Sequence, residues 1–584
     1  YKCRKTSLWQ FQVHIMQHFI LLGTVIKKIY KRLCEVLQKV SEIKPRKKRA
    51  NVKKEGSYGD IIKKIEKEIA NLDEWQKKAA FEVPDGPQRI KGLAGSGKTI
   101  VLALKAAYLH TQYPELKIGV TYYTRALYQQ YVNLITDFVQ DMSGEKVDWD
   151  NLDIIHAWGS NSEHGVYSDM AQKANFKAYN LTSAISKFGR TSAFKGCCDE
   201  LLTVIGEDYE PEYDVMLIDE AQDLPSSFFR LVYANVKSPK RIIWAYDELQ
   251  NLSTVKMPSL EEMFGVDGDG NLRINIENKE NEPKRDITLP VCYRNPPWTL
   301  ALAHALGFGI YHSPIIQMFE EPLMWEDIGY TVKSGKLKKN NTVTLSRKNV
   351  STPKYFEELL NKDDSVKVES FSTIEQQYSW IAQEIRKNIE HDELDPDDIL
   401  IVLPNTYSAK SEYKELEKFL KANGINSILA GVDTDRDTFR VNGCVTCAHV
   451  YRAKGNEAPM VYIANAEYCA DGMELIKLRN ILFTSITRSR AWVRVCGVGE
   501  KMQQIQKEYN QCVTNDYDLH FRIPTDEELK KARRLNRERT STEKRLLETT
   551  KDNINELIDN IEKGTVDSEL LPELNKLMEL LKRG

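Results

Sequence analysis

Between positions 92 and 99 the chain reads Gly92-Leu93-Ala94-Gly95-Ser96-Gly97-Lys98-Thr99, which fits the pattern G-x-x-x-x-G-K-T. A predicted strand precedes this stretch and a predicted helix, 98–110, follows it, as a phosphate-binding loop requires. The glycines allow backbone amides to turn towards phosphates, and the start of the helix adds positive potential. We therefore predict a nucleotide site in which Lys98 reaches the β- and γ-phosphates and Thr99 binds Mg²⁺. The predicted nucleotide contacts in this P-loop are Gly92, Gly95, Ser96, Gly97, Lys98 and Thr99.

An acidic stretch further along the chain supplies the expected partner of the P-loop. The apolar run 215–218 leads directly into Asp219 and Glu220, so a buried strand would deliver both carboxylates to one edge of a sheet. Asp219 would hold Mg²⁺ through water beside Thr99. Glu220 would lie on the γ-phosphate side and deprotonate the attacking water. The two stretches together predict ATP and Mg²⁺ as cofactors.

Strand-like and helix-like segments alternate around these motifs and again later in the chain. This alternation is typical of an α/β fold in which helices flank parallel sheets. Two stretches rich in Pro, Gly, Asn and charge, 255–285 and 310–365, are interpreted as loops and insertions. The predicted division is a segment 1–70, a first domain 71–285 with an insertion at 160–208, a second domain 286–520 with an insertion at 310–365, and a tail 521–584.

Charge is distributed unevenly along the chain. The first 70 residues hold 18 Lys and Arg against 6 Asp and Glu, although the whole chain has a formal net charge of −2. Helical spacing of apolar residues predicts a basic helical N-terminal segment, joined to the next domain by a solvated basic linker, 44–54, and the charged tail is predicted to be helical as well. A near-neutral total does not argue against nucleic-acid binding, because phosphate contacts depend on local basic groups.

Composition also bears on location. The nearest candidate for a membrane span, Phe19–Ile26, is far shorter than the roughly twenty apolar residues that a bilayer needs, so no membrane association is predicted. The ten cysteines show no paired framework, which favours free thiols and a cytoplasmic location. Because the chain starts at Tyr1 rather than Met, we expect a further domain upstream.

The acidic stretch Asp219-Glu220-Ala221-Gln222-Asp223 resembles the second motif of superfamily 1 helicases of the UvrD/Rep type. Further motifs occur in the order found in that family, over about 72–500, and their order makes coincidence remote. They are Leu72-Asp73-Glu74-Trp75-Gln76, Thr121-Tyr122-Tyr123-Thr124, His156-Ala157-Trp158, Asp247-Glu248-Leu249-Gln250, Tyr293-Arg294-Asn295, Lys454-Gly455-Asn456-Glu457 and Thr487-Arg488-Ser489-Arg490.

The resemblance implies two RecA-like P-loop domains with ATP bound between them. It assigns adenine recognition to Gln76 and Tyr293 and contact with the γ-phosphate to Gln250. It also makes Glu457 a nucleotide contact, and makes Arg294 and Arg488 the arginine fingers that meet charge developing on the γ-phosphate.

The resemblance further implies contacts with single-stranded nucleic acid. The residues assigned to these contacts are Thr121, Tyr122, Thr124, His156 and Trp158, and His449 is interpreted as either a contact with the strand or a packing residue at a strand end. The third motif departs from the family pattern, because the residues after Gln250 include no aromatic to stack a base. Trp158, Trp244 and Tyr246 are the candidate substitutes, and each is more often a core residue.

Three functions therefore remain open. The first is an ATP-driven helicase or translocase on single-stranded DNA. The second is an ATPase switch that gates an upstream or partner nuclease, for example in phage defence, without processive unwinding. This possibility follows from the altered third motif and from the absence of the large accessory insertion usual in the second domain. The third is an RNA helicase, since the 2′-OH contact that distinguishes RNA from DNA cannot be deduced from these motifs.

Overall fold

The structure is a computed structural model. It describes residues 49–69, 72–92, 95–160, 163–206, 208–247, 258–319, 324–347, 351–435, 437–472, 474–525, 527–528 and 533–535. The predicted basic helical segment before residue 49 and the predicted helical tail beyond residue 535 lie outside the described residues, as does Gln250.

A parallel six-stranded sheet forms the first lobe. Its strands are β1 (Gln88–Gly92), β2 (Ile118–Tyr122), β3 (Leu152–His156), β4 (Tyr213–Ile218), β5 (Val236–Tyr246) and β6 (Asp286–Leu289), in the order β3-β2-β4-β5-β1-β6. The helices of this lobe are Glu74–Phe81, Lys98–Gln112, Tyr128–Ser143, Val166–Lys173, Leu181–Phe188, Ala193–Val204, Ser226–Asn235 and Leu260–Phe264. Buried apolar clusters lie on both faces of the sheet, as expected for a parallel sheet covered by helices.

The topology of the first sheet places the sequence motifs at one edge. Strands β1 and β4 are separated by β5, and all three are parallel, so their carboxyl ends meet. The P-loop follows β1, Asp219 follows β4 and Asp247 follows β5. Ligands of parallel α/β sheets bind at this end of the strands.

The second lobe is built on another parallel six-stranded sheet. The remaining strands among the described residues are β7 (Gln317–Phe319), β8 (Tyr330–Gly335), β9 (Thr342–Arg347), β10 (Val366–Phe371), β11 (Ile399–Leu403), β12 (Ser427–Leu429), β13 (Val445–His449), β14 (Ala458–Ile463), β15 (Ser489–Val498), β16 (Leu519–Arg522) and β17 (Arg533–Leu535). The sheet has the order β10-β15-β14-β11-β13-β12. The helices are Pro297–Phe308, Met324–Asp327, Tyr355–Leu359, Lys362–Ser365, Ile374–Glu390, Ala409–Ala422, Val450–Ala453, Leu475–Ile486 and Gly499–Thr514.

The predicted fold class is thereby confirmed, since two parallel sheets flanked by helices are consistent with two RecA-like domains. The prediction of loops for 310–365 was wrong in part. Strands β8 and β9 form an antiparallel sheet with β16, and β7 pairs with β17. The alternation of exposed Thr342 with buried Val343 and Leu345 is the period-two signal of a half-buried strand, which the Lys-rich and Asn-rich surroundings obscured.

The chain before the first lobe packs on the second lobe. Helix Tyr58–Glu68 buries Ile62 and Ile65 in the core cluster of the second lobe. Arg49, within the predicted solvated basic linker 44–54, is instead 5% exposed and paired with two carboxylates. Within the described part of the chain, no helix has the length and apolar character needed to span a membrane.

Candidate functional site

The P-loop leaves strand β1 and turns into helix Lys98–Gln112 through two left-handed glycines, Gly95 (φ 76°) and Gly97 (φ 87°). A Cβ atom on Gly97 would lie 2.6 Å from Nε2 of Gln76, so a larger residue would displace that side chain. Glycine is the residue that adopts this conformation without strain. Leu93 and Ala94 lie outside the described residues. The described glycines have the conformation that the predicted phosphate site requires.

Lys98 and Thr99 are the first residues of the helix after the P-loop, and both face the acidic strand ends. Lys98 is 7% exposed, donates from Nζ to the carbonyl oxygen of Gly92 at 2.8 Å, and lies 3.9 Å from Oδ2 of Asp247. Thr99 donates from Oγ1 to Oδ2 of Asp219 at 2.8 Å. The structure therefore brings together the two side chains predicted to hold Mg²⁺.

Asp219 is fully buried and also accepts a hydrogen bond from the hydroxyl of Tyr131 at 2.7 Å. Burial, together with the negative charge of Glu220, raises the pKa of Asp219 above its ordinary value. A cation at this carboxylate would relieve both effects. Hydroxyl and carboxylate oxygens are the ligands that Mg²⁺ prefers, so the donor set of Thr99 and Asp219 fits that ion.

Glu220 is held in an unusual backbone conformation at the end of strand β4. Its φ of 49° and ψ of 42° are left-handed, which is uncommon for a residue other than glycine and often marks a functional site. Its carboxylate accepts a hydrogen bond from Gln222. Burial opposes its ionisation, but the charges of Lys454, Lys98 and Arg488 outweigh burial and lower the pKa of Glu220. Glu220 is therefore an ionised carboxylate at neutral pH.

Lys454 connects the two lobes. It follows strand β13 and the short helix Val450–Ala453 of the second lobe, and its side chain is 2% exposed. Its Nζ lies 2.7 and 2.6 Å from the two carboxylate oxygens of Asp223 and 3.7 Å from Oε2 of Glu220, both in the first lobe. We call the space bordered by Lys98, Asp219, Glu220 and Lys454 the interlobe cleft.

The two predicted arginine fingers border the interlobe cleft. Arg294 pairs with Glu457, and Arg488 donates from Nε to the carbonyl oxygen of Thr484 at 2.9 Å. Burial and then the positive charge of Arg294 lower the pKa of Arg488 to about 9. Two cations that repel each other in a buried position would be stabilised by an anion, as a γ-phosphate would be.

The predicted adenine contacts lie on the other side of the P-loop. Gln76 donates from Nε2 to the carbonyl oxygen of Ser96 at 2.9 Å. The hydroxyl of Tyr293 donates to Oδ2 of Asp73 at 2.7 Å, and the backbone amide of Tyr293 donates to the carbonyl oxygen of Gly95 at 2.9 Å. Gln76 and Tyr293 therefore border the P-loop, Gln76 through a hydrogen bond to the loop backbone, and their contact with adenine stays a prediction.

The residues predicted to bind nucleic acid mostly point into the first lobe. Thr121 and Tyr122 are 0% and 2% exposed, and Tyr122 stacks on Tyr131 at 5.9 Å between ring centroids. Trp158 is 6% exposed, stacks on Phe194 at 4.9 Å and donates from Nε1 to the carbonyl oxygen of Tyr179. We call residues 121–124 and 156–158 the aromatic edge. A contact between a base and these two rings would require the core to open.

The histidines assigned to this function are also engaged. Nε2 of His156 lies 2.6 Å from the carbonyl oxygen of Tyr123. Burial and, to a smaller extent, the positive charge of Arg125 lower the pKa of His156 to about 4. His449 caps a short helix by accepting from the amide of Arg452 at 3.3 Å. Thr124 is half-buried before a short helix. At neutral pH His156 therefore offers no positive charge to a phosphate.

The proposed substitutes for the missing stacking aromatic are buried as well. Trp244 and Tyr246 are 0% and 2% exposed. An aromatic that the sequence analysis did not identify is exposed instead: Tyr407 has 79% of its surface accessible. It follows strand β11, and its ring lies 5.7 Å from the guanidinium carbon of Arg190 in the first lobe. The signal in the sequence was a tyrosine just beyond the carboxyl end of a buried strand.

Part of the second lobe is similar to known proteins. The family model of the UvrD-like helicase C-terminal domain matches residues 445–496. The crystal structure of the C-terminal domain of a possible DNA helicase from Lactobacillus plantarum WCFS1 is 20% identical, with a TM-score of 0.20, over 26% of this chain and 87% of that one. No curated protein matches the chain. The matched residues include Lys454, Glu457 and Arg488, so the resemblance to UvrD-like helicases deduced from the motifs is confirmed, and residues 445–496 are similar to a UvrD-like helicase C-terminal domain.

Proposed function

We propose that the chain is an ATP-dependent nucleic-acid motor that hydrolyses ATP between its two lobes and acts on single-stranded DNA. The observation that carries this proposal is the contact of Lys454 from the second lobe with Glu220 and Asp223 from the first, at 3.7 and 2.6 Å. Because charged groups of both lobes meet at this point, a change in charge at the phosphates would alter how the lobes attract each other. The family match at 445–496 supports a helicase-type motor.

The P-loop would bind the triphosphate. Lys98 is already held at the start of the helix by Gly92, and a β- or γ-phosphate would take the place of that carbonyl oxygen as its acceptor. Bound Mg²⁺ would neutralise charge on the phosphate oxygens, and the residues that would hold it are Thr99 and Asp219. Backbone amides at the start of the helix would add further donors.

Glu220 would act as the base. Its carboxylate is ionised at neutral pH because of the surrounding cations, and Gln222 fixes its orientation. A base in this state can accept the proton of a water molecule as that water attacks the γ-phosphate. Arg294 and Arg488 would then stabilise the negative charge that develops on the transferred group.

Single-stranded nucleic acid would bind across the exposed ends of the strands, where Tyr407 lies. Non-specific motors grip single strands by stacking bases on aromatic side chains, each worth about 1–3 kcal/mol. Tyr407 is exposed, belongs to the second lobe and lies near Arg190 of the first, so it would sense the relative position of the two lobes. The buried rings of the aromatic edge are less suited to this role.

The experiment that tests the proposal is a steady-state ATPase assay with and without single-stranded DNA. We expect the rate to rise on addition of DNA. Lys98→Ala and Glu220→Gln should abolish turnover, with Glu220→Gln still retaining nucleotide. Glu467→Gln, a change of the same kind outside the cleft, is the matched control. A rate independent of both DNA and RNA would refute the motor, and competition between labelled DNA and RNA strands would decide the substrate.

A second candidate is favoured by the burial of Tyr122 and Trp158. A motor whose predicted stacking residues are buried would instead act as an ATPase switch that gates a nuclease, in an upstream domain or a partner. Unwinding of a tailed duplex by the chain with no partner present would count against the switch. DNA-stimulated ATP hydrolysis without strand separation would favour it.

A further inference from the structure

A helix that precedes every nucleotide-binding motif packs on the second lobe next to the nucleotide site. Tyr58, at the start of helix Tyr58–Glu68, stacks on Trp492 with ring centroids 4.1 Å apart and donates a hydrogen bond to Asp364. Lys53 and Lys54 lie just before the helix, and their backbone amides donate hydrogen bonds to the carboxylate of Glu393. The segment is therefore anchored at its start by contacts remote from the P-loop.

Glu66, near the other end of this helix, lies between two arginines. Its Oε1 is 2.9 Å from Nη2 of Arg49 and 3.1 Å from Nη1 of Arg490. The side chain of Glu66 is 11% exposed, and that of Arg49 is 2% exposed. Arg49 has a second carboxylate partner, Asp398, at 2.5 Å. Arg490, which is 18% exposed, therefore depends on Glu66 for its nearest carboxylate contact.

Arg490 also approaches the predicted nucleotide contact Glu457. Its Nε lies 3.8 Å from Oε1 of Glu457, while Oε2 of Glu457 pairs with Arg294. Arg440 donates to the backbone carbonyl oxygen of the same glutamate. A continuous series of ion pairs thus runs from Glu66 through Arg490 and Glu457 to a predicted arginine finger.

We propose that Glu66 is a positioning residue of the ATP site, acting through Arg490 on Glu457. The proposal rests on the proposed function, in which Arg294 stabilises charge on the γ-phosphate, and on the assignment of Glu457 as a nucleotide contact. Glu66 holds Arg490 at 3.1 Å and so keeps it 3.8 Å from Glu457. Without Glu66, the remaining carboxylate partner of Arg490 is Glu457, and Arg490 moves closer to it. Arg490 then competes with the nucleotide for the carboxylate of Glu457. Since this competition affects binding, the KM for ATP should change more than kcat.

The test compares Glu66→Gln with Glu393→Gln. Both substitutions remove one carboxylate that fixes the segment to the second lobe, but Glu393 contacts the segment only near its start. We expect Glu66→Gln to raise the KM for ATP about tenfold, the effect of one hydrogen bond to a charged group, with kcat within about twofold. Glu393→Gln should leave both constants unchanged. Fluorescent-nucleotide binding should show the same loss of affinity.

A double substitution separates positioning from loss of structure. Adding Arg490→Gln to Glu66→Gln removes the competing cation, so nucleotide affinity should recover rather than fall further. If Glu66→Gln does not fold, Glu66→Asp should still raise the KM, by a smaller factor. Equal KM values for the unmodified protein and a folded Glu66 variant would overturn this inference and leave the proposed function intact. An unmodified protein that binds no ATP would overturn both.

Discussion

The interlobe cleft and the aromatic edge lie at the ends of strands of the same sheet, and yet they are built from opposite chemistry. In the cleft, Glu220 and Lys454 are buried and Asp223 is half-buried, and these charged groups neutralise one another across two lobes. At the aromatic edge, Tyr122 and Trp158 are buried as rings packed within one lobe. The first arrangement depends on the position of the second lobe, and the second does not.

This difference has a physical consequence. Buried charges are costly unless partners compensate them. Binding of phosphate and a metal ion adds charge to the cleft and therefore changes how well its buried groups compensate one another. Stacked rings gain stability from contact area and geometry, and an incoming ligand offers them little in exchange. We therefore expect substitutions in the cleft to change the reaction and substitutions at the aromatic edge to change stability.

The largest expected effect concerns Arg488. Arg488→Ala should lower kcat for ATP by about 10³–10⁵-fold, the range for loss of an arginine finger, because Arg294 alone would then meet the developing charge. Nucleotide binding should change little. Rates measured at saturating ATP, with a thermal melt to establish folding, check this. Arg488→Lys is the control that keeps a positive charge but not the planar guanidinium group. A decrease in kcat of less than tenfold in Arg488→Ala would contradict the assignment.

The opposite outcome is expected for Trp158. Trp158→Ala should lower the free energy of unfolding by about 3–5 kcal/mol, as for other buried tryptophans, because it leaves a cavity against Phe194. The affinity of the folded protein for single-stranded DNA should stay within about twofold. Trp158→Phe is the matched control, since it keeps a ring but loses the hydrogen bond to Tyr179, a cost of about 1 kcal/mol. Denaturant titration and DNA binding by anisotropy measure the two quantities. Weaker DNA binding with unchanged stability would show that the edge opens.

The same contrast explains what the sequence could predict. The fold class followed from alternating strands and helices, and the structure brings Lys98, Thr99 and Asp219 together as the motifs predicted. Phosphate sites depend on backbone conformation and on the strand end at which a residue lies, and both are local properties of the chain. Their positions can be deduced from spacing, although their chemistry in this chain remains a prediction.

The side of a strand end to which a ring points is not a local property. Tyr122 faces inwards because Tyr131, on the following helix, packs against it, while Tyr407 is exposed because its neighbours leave it uncovered. Likewise, the pairing of Glu66 with Arg490 joins positions more than four hundred residues apart. Such contacts depend on how distant elements pack, so the motifs alone could not reveal them.

Tyr407 allows a test of where the strand is held. Tyr407→Ala should weaken binding of single-stranded DNA by about 1–3 kcal/mol, the contribution of one stacked base. Tyr407→Phe retains the ring and should bind as the unmodified protein does. The ATPase rate without DNA should be the same in all three, because Tyr407 does not belong to the interlobe cleft. Anisotropy titrations at one fixed salt concentration measure this, since salt alone changes affinity. Equal affinity for Tyr407→Ala would place the grip elsewhere.

The smallest expected effect is a shift in pH dependence, and it tests how the second lobe acts on the cleft. Burial opposes ionisation of Glu220, but Lys454, Lys98 and Arg488 lower its pKa below the ordinary 4.5, so kcat should fall only as the pH drops below that value. Lys454→Met removes the cation 3.7 Å away, so the pKa of Glu220 should rise and the acidic limb of the kcat profile should move to higher pH. In Asp223→Asn, Lys454 is retained and Glu220 is its remaining carboxylate partner in the first lobe. The acidic limb of the kcat profile of this variant should therefore not move to higher pH. Profiles at saturating ATP separate the two variants. An unshifted limb in Lys454→Met would mean that the second lobe does not tune the base, and the coupling between lobes would then have to act on the phosphates alone.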